Sequence, residues 1–301
     1  MTQEQKLYAR AHKAIEDLIP FLKGERLTRE QWYKQLNINP NNNSHTPYKK
    51  AVNDVLWNMS QHNKNKKIVK EGSFFKVVDD TLTPINFLGA SGAKFDLTLP
   101  FDIQEYCFLY RKNIMVIFGS KDAGKTAIIL NIIKLNLDKP YRKLYFSSEM
   151  VEDELKGRLL RDKSMCLEDW KFEPFERSYD FDQVIDPDGL NLIDFLELGS
   201  DETEYFKGVA LMRKIWDKLD QGVAVIACQK NANASLPKGG SGLLEKARIA
   251  LNLDRNKATL SVAKNWTNSD GVNPRGLTWH YQIVGGINLV NVEDPVYGSD
   301  S

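Results

Sequence analysis

Asn113-Ile114-Met115-Val116-Ile117-Phe118-Gly119-Ser120-Lys121-Asp122-Ala123-Gly124-Lys125-Thr126 runs without a break into Ala127-Ile128-Ile129-Leu130-Asn131-Ile132-Ile133-Lys134. The first six residues form a short apolar run that predicts a buried strand, and the last eight continue as a helix. Between them, Gly119 to Thr126 fits the spacing GxxxxGK[ST] in the strand, loop, helix order that its chemistry requires. Glycines let the main chain wrap tightly, so that successive amides point inward at an anion. The start of the following helix adds partial positive charge. Gly119, Ser120, Lys121, Asp122, Ala123, Gly124, Lys125 and Thr126 are therefore expected to cradle the phosphates of ATP. In that reading Lys125 reaches the β- and γ-phosphates and the Thr126 hydroxyl ligates Mg²⁺.

Three more buried strands are predicted downstream. Lys143-Leu144-Tyr145-Phe146 runs into Ser147-Ser148-Glu149-Met150 and a helical stretch from Val151 to Leu160. The turn Asp186-Pro187-Asp188-Gly189 launches Leu190-Asn191-Leu192-Ile193-Asp194. An amphipathic helix from Thr203 to Leu219, with Phe206, Val209, Ala210, Met212, Ile215, Trp216 and Leu219 inward, precedes Val223-Ala224-Val225-Ile226-Ala227-Cys228-Gln229. Ligands of open α/β sheets bind outside the carboxyl ends of the strands, where Glu149, Asp194 and Gln229 fall. A carboxylate there can take a proton from water or orient it, and the alternative for Glu149 is a simple match to a helix dipole. The strand ending in Asp194 resembles a Walker B element, which implies that Asp194 holds Mg²⁺ mainly through water, the alternative being an ordinary strand-end acid.

The order of phosphate loop, strand and Ser147-Ser148-Glu149-Met150 at the strand end resembles the RecA-like ATPases, and within them the DnaB-type helicase and KaiC-type branch. The resemblance covers roughly Phe101 to Val290. It implies an α/β fold with a mostly parallel sheet flanked by helices, and assembly into a homo-oligomeric ring or filament. It implies that Glu149 polarises the attacking water, that Asp194 is a Walker B acid, and that Gln229 senses the γ-phosphate. It also implies that the polar, glycine-rich stretch from Lys230 to Gly242 meets DNA, with Lys230 and Lys238 as phosphate contacts; a loop without a partner is the other reading. In DnaB-type relatives a Lys after the next strand pair is followed two residues on by an Arg that reaches the neighbouring subunit's nucleotide. Lys264 matches the Lys, but Trp266 stands in the place of the Arg. Arg275 and Arg248 are the substitutes within reach of the sequence, and weak or switch-like use of ATP is a consistent alternative. A kinase on the same loop would carry an Arg-rich lid, and none is legible.

Ahead of this lies a different kind of segment. Leu7, Ala11, Ile15, Leu18 and Leu22 recur at helical spacing up to Gly24. Thr28-Arg29-Glu30-Gln31 reads as a capping box opening a short helix. A longer helix is expected over 46–62, with Tyr48, Val52, Val55, Leu56 and Met59 on one face, then a hairpin around Glu71-Gly72-Ser73. Helix, short helix, long helix, hairpin resembles the winged helix-turn-helix family over about 75 residues. It implies a small α+β domain with the helix 46–62 in a DNA groove and Lys49, Lys50, Lys64, Lys66, Lys67 and Lys70 on phosphates. A protein-docking role for the same fold stays open. The expected division is 1–78 for this domain, 79–100 for a linker and 101–301 for the ATPase domain.

Composition narrows the rest. The net charge is +1, yet residues 1–78 hold 14 Lys and Arg against 7 Asp and Glu, and the remainder 27 against 33. A basic front on an acidic back is consistent with a polyanion-binding module joined to something else, or with plain solvated surface. Cys107, Cys166 and Cys228 form no CxxC pair, so each is expected to be a small buried residue in a reduced compartment. The polar start of the chain and the absence of a long apolar run predict a cytoplasmic protein without membrane segments.

Overall fold

The computed structural model describes residues 1–39, 41–61, 66–196, 202–232, 234–268 and 270–297; for 195, 196 and 202–206 it describes the backbone alone. Two compact units divide the chain, 1–90 and 91–301.

In the first unit, helix α1 (Gln3–Leu18) and strand β1 (Arg26–Thr28) precede helices α2 (Arg29–Gln35) and α3 (Thr46–Gln61), then strands β2 (Ile68–Glu71) and β3 (Phe74–Val77). The capping box at α2 is formed: the Gln31 amide donates to Thr28 Oγ1 and the Thr28 amide to Gln31 Oε1, at 3.3 and 2.8 Å. Such a cap satisfies two of the four amides a helix start leaves unpaired. The strands make a small antiparallel sheet in the order β1-β3-β2. Strand β1 is not visible in the sequence pattern, because three residues wedged between Gly24 and a helix cap carry no periodicity. Ile15, Trp32, Val52, Val55, Leu56, Ile68 and Phe75 are fully buried and close the core.

The second unit centres on strand β4 (Ile114–Gly119) and helix α4 (Lys125–Leu135), the pair that the opening stretch predicts. Strand β5 (Lys143–Ser147), helix α5 (Glu152–Leu159), strand β6 (Glu173–Glu176), strand β7 (Leu190–Leu196), helix α6 (Glu202–Lys218) and strand β8 (Val223–Gln229) follow. Strands β9 (Ala247–Asp254), β10 (Lys257–Ala263), β11 (Leu277–His280), β12 (Gln282–Val284), β13 (Asn288–Val290) and β14 (Val296–Tyr297) complete it. Among the described residues one sheet runs β14-β11-β10-β9-β4-β8-β7-β5-β6. From β9 through β4, β8, β7 and β5 to β6 every pairing is parallel; β10, β11 and β14 extend it antiparallel. This is the expected α/β class, a mostly parallel sheet flanked by helices, preceded by a small α+β unit.

The sheet's burial explains the sequence pattern. Every residue of β4 is buried, because helices and loops cover both faces, so its sequence is continuously apolar instead of alternating. Met115, Ile117, Ile128, Ile129, Leu130, Ile132 and Ile133 belong to one core layer, and Ile114, Val116, Phe118, Met212 and Ile215 to the other. Three expectations need correction. Ala210 is exposed on α6. Cys166 is exposed, unlike Cys107 and Cys228, whose thiols burial pushes up to about 12. Strand β6 was not expected, since Glu173-Pro174-Phe175-Glu176 contains a proline and two acids, as only an edge strand tolerates. No helix among the described residues is long and apolar enough to cross a membrane.

Candidate functional site

Four parallel strands deliver their carboxyl ends to one place. Gly119 of β4 lies in register with Gln229 of β8, and Ser147 of β5 with Asp194 of β7. Between β4 and α4 the loop turns through Asp122 and Gly124, at φ 61° and 94°. The second value is left-handed territory where a side chain is strained, which is the reason for a glycine there. Gly119 is required for a different reason: a Cβ on it would lie 3.0 Å from Ala123 Cβ and from Leu253 Cβ and O. Helix α4 begins at Gly124 with no side-chain cap, so its first amides are available to an anion.

A cavity of about 560 Å³ opens in front of this helix, lined by Lys121, Asp122, Gly124, Lys125, Thr126, Glu149, Arg158, Asp194 and Gln229 among others. Lys125 Nζ donates to the carbonyls of Gly119 and Ser120 at 3.2 and 2.8 Å. Burial lowers the Lys125 ammonium's pKa, opposed by the charges of Asp194 and Glu149. Asp194 is only 5% exposed. Its carboxylate accepts from Thr126 Oγ1 at 3.2 Å and from Tyr145 Oη at 2.7 Å. Burial raises its pKa, and the two hydroxyls and the Arg158 charge work against that shift. Tyr145 is pushed up in turn, by burial first and then by Asp194. Glu149 follows a tight turn in which Ser147 Oγ accepts from the Glu149 and Met150 amides, at 3.3 and 3.0 Å. Its side chain is exposed.

The loop after β8 is tied into the same place. Lys238 donates to Gln229 twice, from its main-chain amide to the carbonyl at 2.7 Å and from Nζ to Oε1 at 3.2 Å. With Oε1 so occupied, the amide NH₂ of Gln229 is left to donate. Lys230 requires a correction. It is 2% exposed, its amide donates to the Gly119 carbonyl at 3.0 Å, and Nζ pairs with Asp254 at 2.6 Å. It is a buried tie between β8 and β9, not a solvent-facing phosphate contact. Lys264 does not line the cavity; its Nζ donates to the Glu245 carbonyl at 2.9 Å, and burial and Arg248 lower its pKa. The Trp266 side chain is partly buried against the core, and its backbone forms an antiparallel bridge with that of Cys107.

Sequence reading missed three contributors. Tyr145 lies inside an apolar strand run, where its hydroxyl carries no pattern. Arg158 lies about two turns into the helix expected after Glu149, and nothing in its spacing marks it. Ile283 of the β12–β13 hairpin closes over Gly124: a Cβ there would meet Ile283 Cδ1 at 2.2 Å. Nothing local in the sequence links those segments.

The basic residues of the first unit are spread over α3 and the hairpin. Lys50 and Lys67 face Glu4 and Glu16 at 3.9 and 3.1 Å, and Lys49 Nζ reaches the Asn42 carbonyl at 3.5 Å. Lys66 is exposed, and Lys70 lies 4.7 Å above the ring of the exposed Trp57. Lys64 lies outside the described residues.

An oxygen donor set of one hydroxyl and one desolvated carboxylate suits a hard divalent cation that keeps most of its water, as Mg²⁺ does. Among the described residues no cluster of three or more His, Cys, Asp or Glu forms a protein-only cage. No protein-family model matches this chain, and no curated protein does. Solved structures of similar shape include an ATPase domain, at 16% identity and a TM-score of 0.45, covering 61% of this chain and 86% of that one. Another is a DnaB-like replicative helicase described with its primase interactions, at 16% identity and a TM-score of 0.45, covering 61% of this chain; the chain spans 58% of that helicase's length.

Proposed function

We propose that the chain is a Mg²⁺-dependent P-loop ATPase that acts on DNA as a self-assembled oligomer. The observation that carries the nucleotide reading is the 3.2 Å contact between the Thr126 hydroxyl and the buried Asp194 carboxylate, in the cavity shared by Lys125 and Glu149. A threonine at a helix start set against a desolvated strand-end acid fits a site in which both would share a cation. Bound Mg²⁺ would withdraw charge from the phosphates, held by Thr126 and, through water, Asp194. Lys125 and the loop amides grip the phosphates. Glu149 orients the attacking water and takes its proton. Gln229, with Oε1 tied to Lys238, donates its NH₂ to the γ-phosphate and carries its presence into the loop after β8. The first unit is read as winged-helix-like, with α3 and the hairpin as its polyanion face; its surplus of basic residues supports this reading.

A second reading is a DNA-binding switch in which ATP controls assembly with little turnover. Trp266, where relatives of the resembled branch carry an Arg, favours it. Phosphate release without DNA, with single-stranded DNA and with duplex DNA, using Lys125→Ala as blank, separates the two. Strong DNA stimulation supports the motor. Slow turnover with ATP-dependent oligomer size supports the switch. Failure of the wild-type chain to bind ATP with Mg²⁺ removes both.

A further inference from the structure

Three cationic side chains line the phosphate cavity: Lys121 and Lys125 from the loop, and Arg158 from α5. Lys121 is exposed at the loop tip, and Lys125 is engaged with loop carbonyls. Arg158 differs from both. Its side chain is 25% exposed and its Nη2 donates to Glu154 Oε1 at 3.1 Å, an i, i+4 pair whose acid is half open to solvent. Such pairs are weak and screened, so the guanidinium is held loosely. It also comes from the helix that directly follows Glu149, and its charge is felt by both Asp194 and Tyr145. At the sequence position where the resembled branch would place a neighbour's Arg stands Trp266, whose side chain is partly buried and packs against its own chain's core.

We propose that Arg158 supplies, from within the same chain, the cation that stabilises the transferred phosphoryl group. This rests on the ATPase reading above. In the step concerned, the water oxygen bonds to the γ-phosphorus while the bond from that phosphorus to the β,γ-bridging oxygen breaks. The electron pair stays on the departing diphosphate, and the water's proton passes to Glu149. Arg158 forms no covalent bond. It leaves Glu154 and donates N–H groups to the oxygens on which negative charge accumulates, a contact that is worth most in the transition state. The departure at Trp266 then requires no compensating residue from a neighbour, and turnover is set chain by chain.

The test is steady-state phosphate release from ATP with Mg²⁺, with wild type and Lys125→Ala setting the window. Arg158→Ala should lower kcat by on the order of 10²- to 10³-fold, while affinity for a non-hydrolysable ATP analogue changes little. Arg158→Lys should recover part of the rate. Added guanidinium should restore part of it to Arg158→Ala and none to Lys125→Ala. Glu154→Gln should not lower the rate, because it only frees the guanidinium. Mixing Arg158→Ala with Lys125→Ala chains should restore nothing, since no single chain then holds both groups. Restoration on mixing would mean an arginine acting across an interface and would overturn the proposal. So would unchanged kcat in Arg158→Ala, equal losses of binding and turnover, or a Glu154→Gln defect as deep as that of Arg158→Ala. A wild-type chain that releases no phosphate would instead overturn the ATPase reading beneath it.

Discussion

The two units bury different things. In the first, the described core is apolar, and Ser60 is the one buried polar residue among the described residues of 1–90; its hydroxyl donates to the Trp57 carbonyl. In the second, Asn136, Lys143, Ser147, Asp162, Asn191, Asp194, Lys230 and Thr278 are all buried, and Ser147, Asp194 and Lys230 lie at or near the carboxyl ends of parallel strands. Burying a charge or an amide is costly without a partner. Lys143, Asn191 and Lys230 tie the fold together, whereas Asp194 faces the cavity beside Lys125 and points to chemistry there; the first unit keeps its charges outside and leaves only surface electrostatics to read.

The contrast would be broken most forcefully by Lys125→Ala. It should reduce ATP turnover by roughly 10³-fold, close to the effect of removing a main electrostatic contact to the transition state; phosphate release measures it. Turnover near wild type would make the second unit's buried polar groups structural. Next in size, Asp194→Asn should reduce turnover by about 10²-fold while making the nucleotide-free protein melt higher. The sign follows from the raised Asp194 pKa. Its stabilising contribution is fully present below its ordinary value of 3.8 and is lost as pH rises through the folded value. An asparagine suffers no such loss, so the gap in melting temperature should be small near pH 4 and widen toward neutrality. A gap that narrows with pH would show the carboxylate to be stabilised where it lies.

Gly124→Ala should cost about 1–2 kcal/mol in folding stability, because the chain there holds φ 94°; urea denaturation reports it. For the first unit, the double variant Lys66→Glu with Lys67→Glu should weaken duplex DNA binding. It should also flatten the slope of log affinity against log salt by about 2, leaving DNA-free ATP turnover unchanged. A salt-insensitive slope in the wild type would leave the first unit a protein-docking module. The smallest effect is Lys50→Ala, within about 0.5 kcal/mol of wild type in melting experiments, since its 3.9 Å pair with Glu4 is largely exposed.

What could be read from the sequence follows the range of the forces involved. The β4, loop and α4 sequence was legible because one local stretch holds both the apolar periodicity and the glycine spacing. The remaining strands carrying Ser147, Asp194 and Gln229 were legible as buried runs, since both faces of the parallel sheet are covered. Strand β1, with three residues, and strand β6, with its proline, have no such pattern. The burial of Lys230 was illegible because it depends on Asp254, 24 positions later, and a polar loop sequence looks solvated whether or not it folds back. The same holds for Tyr145, whose partner Asp194 is 49 residues away, and for Ile283 above Gly124. Pairings of that range are fixed by topology, and one sequence states topology only through its motifs.

The grip of Lys125 on the carbonyls of Gly119 and Ser120 holds the loop wound by its own ammonium. On the ATPase reading proposed above, a triphosphate would have to displace those two carbonyls to reach the charge. Binding would then be an exchange of partners, with a net strength below what the ligand's own contacts alone would give.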